Sequence, residues 1–319
     1  MKGRKGITLV ELVISMAILG FVISLILLFL NLKVREAVRE RSFSFMQSEI
    51  QLASEIITWD IWLTGFGLRT NVYPLSQWDS VGINGSDSLV LRATAFITER
   101  GKWTYILQKA HNTNTLLVYR WDNPIENIDS TDYIIILMGD KELVAGPLNV
   151  SSVKETTYVT VTGENKNALI LTLESAVQYV NPGYLVFVVN DPGSTYTEVH
   201  YKLTNDEVLL RSGEELLRNV RLFKVDLAVD TSGKGDIAWV SSIPQGWSAD
   251  HLRDNLKLVQ ISLIIHSPRK DRSYEYPSEN VSVSTPDGSI IHSIDIGGED
   301  RHYRWIPLAI TIKPRNLFR

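Results

Sequence analysis

The chain of 319 residues sets 32 Lys and Arg against 36 Asp and Glu for a formal net charge of −4, which removes any electrostatic ground for a nucleic-acid partner. It has no cysteine, so disulfides, thiol catalysis and Cys-ligated zinc or iron–sulfur centres are excluded. Hydrophobic residues make up 44%, with Trp 8, Tyr 12 and Phe 9, ample material for a β-rich core.

The first element is a membrane segment. From Ile7 to Leu30 the run ITLVELVISMAILGFVISLILLFL carries a single charge, Glu11, and at ~1.5 Å per residue it can cross a ~30 Å hydrocarbon core. A secretory signal peptide has a shorter apolar region ending in a small-residue cleavage site; this run is longer and no such site follows it. Charge counting does not orient the segment, because Lys2, Arg4 and Lys5 on one side face Lys33, Arg35, Arg39 and Arg41 on the other. Glu11 is the distinguishing residue, since an acid inside a spanning helix costs on the order of 2.5 to 3.5 kcal/mol near its centre.

No proline precedes Pro74, and NLKVREAVRERS is made of good helix formers, so the helix is predicted to continue past the membrane. Met46, Ile50, Ala53, Ile57 and Ile61 recur at helical spacing and paint one apolar stripe. Gly65 and Gly67 supply the stop. A helix from Ile7 to about Thr64 would be ~87 Å long; two helices joined near Asn31 is the alternative.

After Pro74 short period-two runs separated by turn residues predict an antiparallel β fold. Candidate strands are Ser88 to Ala95, Trp103 to Lys109, Thr115 to Arg120, Tyr133 to Met138, Ala168 to Leu173 and Tyr184 to Val189. The clearest alternations place Phe223, Val225, Leu227 and Val229 inward against Lys224, Asp226, Ala228 and Asp230. A second sets Val259, Ile261, Leu263 and Ile265 against Gln260, Ser262, Ile264 and His266. Leu308, Ile310 and Ile312 mark a last strand. Ser175 to Pro182 is a candidate boundary if the head is two bodies. The polar stretch Ser267 to His302, rich in Pro and Gly, reads as a solvated loop or, alternatively, as a contact surface. The fold class is therefore α+β: a long N-terminal helix, transmembrane in its first half, packed on a large antiparallel β-rich head.

The segment Gly6, Ile7, Thr8, Leu9, Val10, Glu11, Leu12 resembles the processing motif of type IV prepilins, in which a basic leader ends in glycine before a (F/I)TL(I/V)EL run. The resemblance implies cleavage by prepilin peptidase after Gly6 and methylation of the new amino terminus at Ile7. Glu11 falls on the fifth mature position, where the family keeps a glutamate for filament assembly. It further implies a leader over residues 1–6, a spine helix over 7–68 with 7–30 in the membrane, and a head over 69–319. The expected place is the bacterial inner membrane, N-terminus cytoplasmic and head periplasmic, and then a pilus or pseudopilus. Expected partners are the peptidase, other pilins, the assembly platform and the lipid bilayer.

Further along, WDIWLTGFGL, LLRNVRLFKVDLAVDTSGKGD and ITIKPRNLF resemble segments of PilW-type minor pilins, matching at Asp60, Gly65, Phe66, Gly67, the Asp230 turn and Arg315–Asn316. The J-type pseudopilin of type II secretion shares this layout, including a strand like Leu216 to Val220.

Enzyme motifs are lacking: there is no G-x-S-x-G, no phosphate-binding loop, no H-E-x-x-H and no dinucleotide fingerprint. No cofactor and no enzymatic activity are expected. Asp230, Ser232 and Asp236 alternate like the first ligands of a calcium loop, but Lys234 stands where a third oxygen is wanted, so a glycine-rich hairpin is the competing reading. The alternatives of another class are a membrane-tethered periplasmic binding module and an adhesin.

Overall fold

A computed structural model describes residues 9–96 and 102–317. The chain divides into two compact units, Met1–Gln51 and Leu52–Arg319. Helix α1, Leu9–Leu63, is unbroken, so there is no joint at Asn31. In the first unit the described large hydrophobics from Leu12 to Leu30 are all at least 42% exposed. That is a surface suited to lipid rather than to water.

In the second unit α1 buries Ala53, Ile57 and Ile61 and keeps Trp59 exposed, as its stripe predicts. It ends where the sequence provides left-handed backbone: Gly65 has φ +87° and Gly67 φ +64°.

The strands that follow are β1 (Leu75–Trp78), β2 (Ser88–Ala93), β3 (Trp103–Tyr105), β4 (Ala110–Tyr119), β5 (Tyr133–Leu137), β6 (Leu143–Val159), β7 (Asn165–Val180), β8 (Leu185–Val189), β9 (Thr197–Leu203), β10 (Leu209–Arg211), β11 (Glu214–Leu217), β12 (Val220–Asp230) and β13 (Ile237–Val240). A short helix α2 (Ala249–Asn255) then leads into β14 (Leu256–His266), β15 (Asn280–Ser284), β16 (Ile291–Asp295) and β17 (Trp305–Ile312). All the pairings are antiparallel. The α+β expectation therefore holds.

Among the described residues the head holds four sheets, the smallest of them the two-stranded β15–β16. β1–β2–β9–β10–β11 form one sheet and β13–β12–β14–β17 another. Between β2 and β9, which pair directly, the chain inserts β3–β8–β5–β6–β7–β4. A bridge from Ile106 to Val118 and the bond Leu107 N–H to Leu117 O, 2.9 Å, tie the two end strands together and close this insert into a barrel. Its interior is aliphatic, with Leu116, Val118, Leu169, Leu171 and Val186 fully or nearly buried.

Several expectations need correction. The faces of β12 and β14 assigned outward are buried too, at Lys224, Asp226, Ala228, Asp230, Gln260, Ser262, Ile264 and His266. The physical reason is a second cover. Ser267 to His302 is no solvated loop but the hairpin β15–β16, whose Val281, Val283 and Ile296 pack with Leu222, Ile264 and Trp305. Polar positions under it survive because they are paired. His292 Nε2 reaches both oxygens of Asp226 at 3.0 and 2.9 Å. Ser175 to Pro182 is not a boundary, since β7 runs through to Val180.

Candidate functional site

Gly6 and Ile7, the expected processing and methylation residues, lie outside the described residues. Glu11 stands in the first turn of α1 and is exposed. The helix is long and apolar enough to cross a membrane.

A second constellation lies at the far end of α1. Asp60 sits within the buried stripe at 0% exposure and is met by Arg211 of β10 through two bonds, Nε to Oδ2 at 2.7 Å and Nη2 to Oδ1 at 3.0 Å. Tyr201 of β9 donates its hydroxyl to Oδ2. Burial, with the Asp60 charge beside it, pushes the Tyr201 phenol well above its ordinary value. The hydrogen bond to Asp60 raises the Arg211 guanidinium further. Thr64 caps the turn by donating to the Asp60 carbonyl at 2.8 Å.

The glycines after it are sterically required. A Cβ on Gly65 would come within 2.5 Å of Leu317 Cδ2, and one on Gly67 within 2.6 Å of Thr94 Oγ1 and 2.8 Å of Phe187. The C-terminal segment therefore seats directly on this turn: Asn316 donates to the Trp62 carbonyl at 2.6 Å, Arg315 lies 4.1 Å from the Trp62 ring centroid, and Leu317 is fully buried. Two motifs some 250 residues apart in sequence are one structural joint. Sequence reasoning does not supply Arg211 or Tyr201. The readable signal is an acid among Ile57, Ile61 and Thr64, which demands a partner without naming it.

The calcium candidate is a tight turn. Asp230 Oδ1 accepts from Ser232 N and Oγ at 3.2 and 3.3 Å, Oδ2 accepts from Gly235 N at 2.8 Å, and Ser232 Oγ donates to Asp236 at 3.1 Å. Desolvation pushes the Asp230 carboxyl up, but the N–H groups of Gly235, Gly233 and Ser232 outweigh it and hold it below the ordinary carboxylate range. Those bonds take up the oxygens a cation would need. Among the described residues no group of three or more His, Asp and Glu is placed to hold a metal ion.

The histidines are scattered over separate partners. His200 faces Glu198, His266 faces Glu207 and the Ser267 carbonyl, His292 faces Asp226, and His302 faces the Tyr274 carbonyl. The arrangement pairs and packs; it does not converge on a reacting atom.

Residues 1–27 match the model of the prokaryotic N-terminal methylation motif. No curated protein and no solved structure matches the chain. The chain thus carries the N-terminal methylation motif of the type IV pilin and pseudopilin class, and with it the implied processing by a prepilin peptidase.

Proposed function

We propose that this chain is a minor pilin of a type IV pilus, a non-enzymatic structural subunit that helps to initiate or cap the filament. Residues 1–6 are the leader, residues 7–68 the spine, and residues 69–319 the periplasmic head. Prepilin peptidase cuts after Gly6 at the cytoplasmic face of the inner membrane and methylates Ile7. The assembly platform then lifts the helix from the bilayer into the filament. Glu11 accepts the cationic amine of a neighbouring subunit, so that two desolvation costs offset each other.

The observation that carries this reading is the position of Glu11: it stands five residues after Gly6, in a matched methylation motif, on a helix whose described large hydrophobics from Leu12 to Leu30 are all exposed. The segment Leu216 to Val220 keeps a type II secretion pseudopilin as the second reading, while the Asp230 turn and Arg315–Asn316 favour the pilus. Mass spectrometry of protein from cells that hold the peptidase tests the shared core of both. The expected N-terminus is N-methylated Ile7; an intact Met1 overturns it. Glu11→Ala is expected to leave membrane insertion unchanged and to prevent incorporation into filaments.

A further inference from the structure

The outside of the barrel carries a face that its interior does not explain. Because Leu116, Val118, Val153, Leu169 and Leu171 turn inward, the period of two and the strand register turn Tyr119 of β4, Lys166 of β7, and Lys154 and Tyr158 of β6 outward together. Over residues 115–119, 166–172 and 152–158 no outward position holds an acid, and four hold hydroxyls: Thr115, Ser152, Thr156 and Thr172. Glu155 has the inward parity, where Arg120 pairs with it at 2.9 Å. Among the described residues no carboxylate pairs with Lys154 or Lys166.

At the β3–β4 closure this face continues into aromatic rings. Tyr105 and Tyr119 stack at 5.1 Å with 10° between planes, and Trp121 meets Tyr119 edge-on at 4.9 Å. The group is fixed in place, since Trp121 Nε1 donates to the Trp103 carbonyl at 2.6 Å. All three rings are half-buried, and among the described residues neither tyrosine hydroxyl has a partner. Beside them the bulge between Thr113 and Thr115 bends β4 and opens a hollow of about 380 Å³ lined by Lys109, His111, Thr113, Thr115, Leu117 and Ile170.

We propose that this face binds an acidic polysaccharide, its sugar rings laid on the aromatic group and its carboxylates on Lys109, Lys154 and Lys166. The C–H faces of a sugar suit the electron-rich face of an aromatic ring, the side-chain hydroxyls match a polyhydroxylated ligand, and the unpaired lysines on an acid-free face match its charge. Rings already locked together lose little freedom on binding. Charge density selects the polymer: Lys154 and Lys166 stand four residues apart in register, ~14 Å along the strands, whereas a strand of duplex DNA presents a charge every ~3.4 Å and the whole chain has a net charge of −4. The inference goes beyond the pilin reading and does not rest on it.

Titration of the full-length protein in detergent with hexagalacturonate, followed by tryptophan fluorescence and calorimetry, tests it. Binding is expected, weakened about tenfold by Lys154→Gln combined with Lys166→Gln and about tenfold by Tyr119→Ala. Lys234→Gln, at an exposed position on the Asp230 turn, should change nothing. The lysine variants alter only outward side chains, so an unchanged Tm shows that their fold is intact. No binding of hexagalacturonate overturns the proposal, as does binding that the lysine and tyrosine variants leave unaltered. Equal affinity for the methyl-esterified hexamer removes the lysines from the site, and tighter binding of single-stranded oligothymidylate replaces the polysaccharide with nucleic acid; either result overturns the assignment.

Discussion

Within one head, the barrel and the β12–β14 sheet bury their strands by different chemistry. The barrel closes on itself, so Leu116, Val118, Leu169 and Leu171 need only each other. The β12–β14 sheet is covered on both faces, and on one of them it buries Lys224, Asp226, Gln260 and His266. Each is held by a partner brought from elsewhere in the chain: Lys224 by Asp79 and Asp87 at 2.7 and 2.8 Å, Asp226 by His292, Gln260 by Ser262 and the Ser284 carbonyl at 3.0 Å. A barrel made this way tolerates local change as volume; a polar face tolerates it only if the pairing survives. Stability should therefore fail differently in the two regions.

The largest effect is expected at Lys224. Desolvation works against its ammonium, yet the bonds to Asp79 and Asp87 outweigh that and raise its pKa, while burial pushes the Asp87 carboxyl up despite its partners. Lys224→Ala leaves Asp87, fully buried in its side chain, without its cation. The expected loss is about 3 to 5 kcal/mol, read as a shift in the urea midpoint of the full chain in detergent. Lys224→Met keeps the stem and should lose nearly as much. Full stability in the Met variant would show that packing of the stem, not charge, holds this face.

Next in size is Leu171→Ala in the barrel, where the residue is 0% exposed. The expected loss is about 3 kcal/mol, from lost transfer energy plus a residual cavity. It should be the same at pH 4 and pH 7, because the surrounding interior is aliphatic. A loss that changes with pH would mean that the barrel wall has admitted water or a charge.

The same contrast explains what could be read from the residues in advance. α1 was legible from Leu9 to its end because its two signals, an apolar run and a 3-4 stripe, are local. The inward faces of β12 and β14 were legible because Val225, Leu227, Val259 and Ile261 alternate strictly. Their other faces were misassigned because Asp226 finds His292 66 residues away, and nothing near Asp226 announces it. β6 escaped notice for the opposite reason: from Ser151 to Val159 no side chain is buried, so no apolar alternation marks a strand that is held by its pairing with β7. At the helix end, Asp60, Gly65, Gly67, Arg315 and Asn316 were visible as separate motifs. That they meet, and that Arg211 completes them, depends on tertiary geometry.

The smallest effect, and the sharpest discriminator, is at Glu207, which joins the β9–β10 turn to the polar face. His266 Nε2 lies 2.7 Å from its carboxylate, and Arg221 donates to it as well. Desolvation pushes the Glu207 carboxyl up, but the hydrogen bonds from His266 and Arg221 outweigh it and hold it below the ordinary 4.5. A carboxyl with a lowered folded pKa binds fewer protons folded than unfolded. Its contribution is therefore complete above pH 4.5 and fades as pH falls through the folded value. Glu207→Gln should cost about 1 kcal/mol at pH 7 and flatten the acid limb of the stability curve below about pH 4.5. Leu171→Ala, by contrast, should lower the whole curve in parallel. If Glu207→Gln instead kept the acid limb of the parent protein, the coupling of β9–β10 to β14 through His266 would contribute nothing to the acid sensitivity.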